Sequence, residues 1–268
     1  MSDPAPYKLH RGTRPLLVSM PHVGTFVPPA LAARMTPAAL ALPDTDWHVD
    51  RLYDFAEALG ASILVATHSR YVIDLNRPPD DHSLYPGQDT TGLCPIDTFD
   101  RAPLYRTGSV GDDEVIARRR AVHEPYHAAL RGELDRLRAE HRNVVLWDAH
   151  SIRSVVPRFF EGKLPDFNFG SAGGASCDSA LTDRLLAVAR HAGAGDYTSV
   201  LNGRFKGGHI TRRYGAPAQG VHAIQLEMAQ CIYMDERPPF DYIAERAANV
   251  QRPLRAMLEA ALEFAEDA

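Results

Sequence analysis

The chain has 268 residues, 45% of them hydrophobic and 24% charged, with a net charge of −5 at pH 7. Those values suit a single α/β domain over 1–268 with a sizeable core. They leave no electrostatic footprint for nucleic acid or an anionic membrane surface, and no apolar run approaches the length of a membrane span.

The opening segment, MSDPAPYKLHRGTRP, carries charges but no apolar signal core, so the expected location is cytoplasmic. A first strand is read at 16–19 (LLVS). It breaks at Met20-Pro21, where proline ends pairing, and releases His22 ahead of Gly24, which permits a tight turn. Residues 30–43 are rich in alanine and proline and read as loop with a short helix. Asp44-Thr45-Asp46 has the capping chemistry to open a helix running through Trp47, Leu52, Phe55 and Leu59 to Gly60. Two strands are expected next, at 62–67 (SILVAT) and 71–75 (YVIDL), the second leading into Asn76-Arg77-Pro78-Pro79. An arginine there offers a fixed fork to a carboxylate. Residues 80–111 lose periodicity among prolines, glycines and aspartates, as a lid or pocket wall does.

Residues 112–141 carry a long, charged helix pattern with Ile116, Val122, Tyr126, Leu130, Leu134 and Leu137 as its apolar stripe. It leads to NVVLWDAHS at 143–151. The apolar run 144–147 fits a strand buried on both faces. Asp148, His150 and Ser151 then fall at its carboxyl end, the edge where open α/β sheets bind ligands. Beyond it, 153–174 is loop-rich, 177–191 is helical by spacing, and 203–220 holds Lys206-Gly207-Gly208-His209 and Arg212-Arg213. A last strand at 221–228 (VHAIQLEM) carries Glu227, and 240–264 reads as a terminal helix. Cys94, Cys177 and Cys231 are odd in number and widely spaced, which indicates small buried side chains rather than disulfides or a Cys-rich zinc site.

Residues 123–127, His-Glu-Pro-Tyr-His, match the H-E-x-x-H pattern in which His123 and His127 would share a metal. Pro125 removes a backbone donor inside that motif, and matches this short arise by chance. His127 is also a candidate pocket residue. The stronger set is dispersed: His22 and His150 after strands, Asp44 and Asp46 at a helix start, and Glu227 on a strand. Two histidines and a carboxylate make a catalytic zinc site with one position left for water, and a separate glutamate can serve as base. Taken singly, either aspartate serves equally as a helix cap and Glu227 as a paired carboxylate. Their joint placement at strand ends favours a metal centre.

The strings PHVGT, LPDTDWHVDRLYDF, SRYVIDLNRP, LYPGQDTTGLCPIDTFD, LWDAHSI, FKGGHITRRYG and IQLEMAQCIYM resemble the N-formylglutamate amidohydrolase family of histidine catabolism, over about residues 15–234. That family is in turn similar to zinc carboxypeptidases and aspartoacylases. The resemblance implies a three-layer, zinc-carboxypeptidase-like α/β fold with a mixed, mainly parallel sheet flanked by helices. It also implies His22 and His150 as metal ligands, Asn76 and Arg77 as the pair that holds a substrate carboxylate, and Glu227 as the base. Carboxypeptidases take a second ligand from a glutamate three residues after the first histidine, whereas Thr25 stands there in this chain. The carboxylate must come from elsewhere, with Asp46 the first choice and Asp44 and Asp50 behind it. A dianionic substrate requires cations, for which Arg70, Arg77 and Arg212 are candidates. The implied reaction is hydrolysis of N-formyl-L-glutamate to L-glutamate and formate with one divalent metal ion, expected to be zinc. Competing readings are a related amidohydrolase acting on another N-acyl amino acid, the His123/His127 metal site, and a non-catalytic protein that captures an acidic amino acid. The oligomeric state stays open.

Overall fold

A mixed sheet of seven strands runs through the centre of the structure, a computed structural model that describes residues 3–191 and 197–267. In chain order the strands are β1 (Tyr7–His10), β2 (Leu16–Met20), β3 (Ser62–Ala66), β4 (Val144–Ile152), β5 (Phe167–Gly170), β6 (Ser199–Leu201) and β7 (Val221–Ala229). In space the order is β1-β3-β2-β4-β7-β5-β6. The central strands β3, β2, β4 and β7 are parallel. At the two edges β1 runs antiparallel to β3 and β5 antiparallel to β7, with β6 parallel to β5. The α-helices are α1 (Pro29–Ala32), α2 (Pro37–Leu40), α3 (Val49–Leu52), α4 (Asp112–Arg118), α5 (Glu124–Glu140), α6 (Ser179–His191), α7 (His209–Tyr214) and α8 (Ala244–Asp267).

Alternation along β4 sends Val144 and Leu146 to one face of the sheet and Val145, Trp147 and Ala149 to the other. The first face packs on Tyr126, Leu130, Leu134 and Leu137 of α5. The second packs on Leu181 and Leu185 of α6 and Leu254, Met257 and Leu258 of α8. Helices on both faces bury β2 and β4 along their whole length, which is why these strands carry apolar runs. This is the expected three-layer, mixed and mainly parallel architecture. Where the apolar run ends, the period of two continues, so Asp148 and His150 share the face of Leu146. The β4–β7 register sets Gln225 opposite Asp148 and Glu227 opposite His150. No helix among the described residues is long and apolar enough to cross a membrane.

Residues 71–75 are not the expected strand. Both edges of β3 are already taken, by β1 and β2, and the segment instead turns, with Val72 N donating to Ser69 O and Asp74 N to Leu93 O. Its apolar run signals burial, since Tyr71, Val72, Ile73 and Leu75 are all buried. The helix expected from Asp44 shrinks to α3 and a 3₁₀ turn (Asp54–Leu59), because His48 at φ 63° interrupts it and the Asp44 and Asp46 side chains face other partners. Gly60 does close the element in the left-handed conformation, at φ 77°. The long helix pattern of 112–141 is present as α4 and α5, joined by a π turn (Arg119–His123) just ahead of Pro125. The terminal helix begins at Ala244 rather than at residue 240, and β1, β5 and β6 are short strands the sequence pattern did not announce.

Candidate active site

Pro21 ends β2, and the backbone N–H of Asp46 then donates to the His22 carbonyl at 3.1 Å, which fixes Asp46 beside that histidine. Asp46 Oδ2 lies 3.0 Å from His150 Nδ1 and 3.8 Å from His22 Nδ1, and it accepts the Ser151 N–H at 3.2 Å. One ligating atom from each of His22, Asp46 and His150 falls within 4.8 Å of the other two. Behind the rings stand two further carboxylates. His22 Nε2 lies 2.7 Å from Asp74 Oδ1, and His150 Nε2 lies 3.2 Å from Asp148 Oδ2. The Asn76 amide sits beside the second pair, its Nδ2 2.9 Å from His150 Nε2 and 3.3 Å from Asp148 Oδ2. A carboxylate that accepts a hydrogen bond from Nε2–H leaves Nδ1 as a lone pair aimed at the common centre, the arrangement that orients metal-binding histidines. Asp46 Oδ1 is buried without a hydrogen-bond partner among the described residues. Two imidazole nitrogens and a carboxylate with one unsatisfied buried oxygen fit a divalent ion.

The charges around this centre are tuned against each other. Burial, reinforced by Arg70, holds His22 below the ordinary histidine value despite Asp74 and Asp46. Burial also pulls His150 down, but Asp148 and Asp46 outweigh it and raise the ring well above the usual range. The two carboxylates that favour a proton on His150 favour a metal cation in its place. Burial works against ionisation of Asp74, yet His22, Arg70 and Arg77 hold it well below the usual carboxylate range. Glu227 is pushed up to about 8, by burial first, with His150 opposing and Asp46 adding to the rise.

His22, His150 and Glu227 line a cleft that opens to solvent. Asn76, Arg70 and Arg77 line it as well. Arg70 Nη2 donates to Asp74 Oδ2 at 2.7 Å, and Arg77 donates to the Thr91 and Asn76 carbonyls. Asn76 itself fits because Gly208 passes close by: a Cβ on that glycine would lie 2.4 Å from Asn76 Nδ2. Arg212 is not among the residues that line the cleft. Its Nε donates to Gly207 O at 2.9 Å and its guanidinium lies 5.2 Å from the centre of the Tyr85 ring. Of the three candidate carboxylates Asp46 meets the histidines. Asp44 accepts from the Tyr71 hydroxyl and the Phe99 N–H, and Asp50 is exposed on α3.

Asp74 and Asp148 were not assigned from sequence as partners of the histidines. An aspartate inside a buried apolar run is the signal that marks each, since such a charge is rarely buried without a partner. The His123/His127 pair serves a different end. His127 Nε2 donates to Leu75 O and its Nδ1 faces the Tyr214 hydroxyl, both at 2.9 Å, while His123 Nε2 bonds Arg77 O at 3.0 Å. The backbone N–H of His209 reaches Asn76 O at 3.4 Å. Together they hold the back of the Leu75-Asn76-Arg77 segment, and both nitrogens of His127 are already engaged.

A model of the N-formylglutamate amidohydrolase family matches residues 14–234. The chain belongs to this family. Among its relatives in the N-formylglutamate amidohydrolase family is the N-formylglutamate deformylase of Pseudomonas aeruginosa, 56% identical over 258 residues and covering 96% of each chain. The N-formylglutamate deformylase of Pseudomonas putida is 52% identical over 256 residues, covering 95% of each. Among solved structures, the N-formylglutamate amidohydrolase of Ralstonia eutropha JMP134 superposes with a TM-score of 0.83 at 27% identity, over 97% of this chain and 98% of the other. A gene product of Agrobacterium tumefaciens shares the fold, with a TM-score of 0.73 at 20% identity over 97% and 96% of the two chains.

Proposed function

We propose that this chain hydrolyses N-formyl-L-glutamate to L-glutamate and formate, as a single amidohydrolase domain acting in the cytoplasm. Family membership and the deformylase activity for which the Pseudomonas relatives are named support the substrate. The observation that carries the chemistry is the convergence of His22, Asp46 and His150, each histidine backed by a carboxylate, in a cleft shared with Glu227. His22, Asp46 and His150 would hold one divalent ion, in our reading zinc, through two Nδ1 atoms and a carboxylate oxygen. Such an ion supplies Lewis acidity, which polarises a carbonyl and brings the pKa of water toward ~7.

Glu227 takes the proton of the attacking water as its oxygen adds to the formyl carbon. The same carboxyl then gives that proton to the glutamate nitrogen as the C–N bond breaks, since an amine leaves poorly without one. Arg70 lines the cleft 3.8 Å from Asp46 and offers a cationic donor for the developing oxyanion. Asn76 and Arg77 position the substrate carboxylate next to the reacting amide. The test is formate release by the purified protein from N-formyl-L-glutamate, compared with acetyl and succinyl release from the matching N-acyl glutamates. Formate release well above the other two supports the reading. Preference for another acyl group makes the chain a different amidohydrolase, and binding of the substrate without turnover makes it a capture protein.

A further inference from the structure

Three arginines line the cleft: Arg70, Arg77 and Arg204. Arg70 is neutralised by Asp74, whereas Arg77 and Arg204 make no ion pair with a carboxylate among the described residues. Of the acids that line the cleft, Asp89 is committed to Arg101 and Arg158, and Glu227 accepts from Gln225. Two guanidinium groups therefore stand without a salt-bridged carboxylate among the described residues, in a cleft whose proposed substrate brings two carboxylates. Arg77 follows Asn76, whose Nδ2 lies beside His150 Nε2, and it bears electrostatically on Asp74, the partner of His22. Arg204 lies on a different wall, among aromatic rings. It enters from the loop after β6, and its guanidinium lies 5.6–5.9 Å from the ring centres of Tyr85, Phe159 and Phe205. Its Nε donates to the Phe159 carbonyl, which fixes the plane of the group and leaves the Nη1–Nη2 end with no partner among the described residues.

Resting on the proposed deformylase reading, we infer that Arg204 is the residue that selects the side-chain carboxylate of the substrate, while Arg77 takes the α-carboxylate. The covalent spacing agrees with that order. The α-carboxylate carbon is three bonds from the formyl carbon and the side-chain carboxylate carbon is five. The nearer carboxylate is assigned to the arginine next to Asn76, beside the histidines, and the farther one to the arginine of the aromatic wall. The free Nη1–Nη2 edge matches a carboxylate in a bidentate pair, and aromatic walls that exclude water strengthen it. Burial and the nearby Arg77 charge lower the Arg204 pKa, as expected for a cation waiting for an anion. A site built for such a pair rejects the neutral analogue because the cation is then left unpaired.

The experiment compares N-formyl-L-glutamate with N-formyl-L-glutamine, its neutral isostere, on wild type, Arg204→Gln and Arg204→Lys. Wild type should favour the glutamate substrate. Arg204→Gln should raise KM for N-formyl-L-glutamate by about 10- to 100-fold, the range for a hydrogen bond to a charged group, with kcat and the KM for the glutamine substrate changed by less than about threefold. Arg204→Lys keeps charge but loses the fork, so its KM for the glutamate substrate should fall between the two; it also serves if the Gln variant does not fold. Equal losses on both substrates, a fall in kcat alone, or an unchanged KM for N-formyl-L-glutamate would each overturn the assignment. Wild type that releases no formate from N-formyl-L-glutamate would instead remove the deformylase reading on which it rests.

Discussion

Glu227 receives one side-chain hydrogen bond, from Gln225 Nε2 at 3.3 Å, while every other carboxylate near the histidines is tied to a ring nitrogen or a guanidinium. A loosely held carboxyl facing a cleft is suited to move protons, whereas a firmly paired one is suited to hold a neighbour. Glu227→Gln keeps the shape and removes the proton acceptor. It should lower kcat by ~10²-fold or more with KM and metal content retained; a variant that keeps most of its kcat leaves the mechanism without a base. His22, His150 and Glu227 were legible in the sequence because each sits at or near the end of a strand. Asp46 was harder to single out, since aspartates near a helix start serve as caps as well as ligands. Asp74, Asp148 and Arg204 were beyond local pattern: what each does depends on a neighbour far along the chain.

At the scale of elements, the parallel pairing of β4 with β7 brings His150 and Glu227 to adjacent positions, and the turn after β2 supplies His22. The segment from Leu75 to Arg77 has no strand to hold it, so its carbonyls depend on α5 and α7. His127 donates to Leu75 O from a fully helical position. Replacing His127 by phenylalanine leaves that carbonyl unsatisfied, at a cost of ~1–3 kcal/mol. Since ~1 kcal/mol moves the melting temperature of a chain near this size by ~2–4 °C, a drop of several degrees is expected in a thermal melt, with metal content unchanged. Metal loss in that variant, with the melt unaffected, would favour the H-E-x-x-H reading. The motif was visible in sequence, but its role was not, because the same spacing that pairs two histidines on a metal also lays both against a neighbouring backbone.

Across the whole molecule, the layers followed from the long apolar runs of the central strands and the stripes of α5, α6 and α8. The short strands β1, β5 and β6, of three or four residues each, do not let a period of two stand out. The buried histidines also shape the response to acid. Burial, helped by the nearby His123 and Arg213, lowers His209 from 6.5 to about 4. Between those values the unfolded chain binds the proton that the folded chain refuses, so the contribution of His209 is fully present above pH ~6.5 and is lost as pH falls toward 4. Denaturant unfolding of wild type and His209→Gln on chelator-treated protein isolates it. The difference in stability between the two should be constant above pH ~6.5 and should shift against wild type below it; a difference that does not vary with pH would contradict the burial of that ring.

The central claim is that His22, Asp46 and His150 hold a single divalent ion on which turnover depends. The most direct measurement is metal content and formate release on one preparation each of wild type, His150→Ala and a His123→Ala/His127→Ala double variant. Wild type and the double variant should each carry about one ion per chain, and His150→Ala should lose metal and activity together. Full metal occupancy and turnover in His150→Ala, or loss of metal only in the double variant, would contradict that claim.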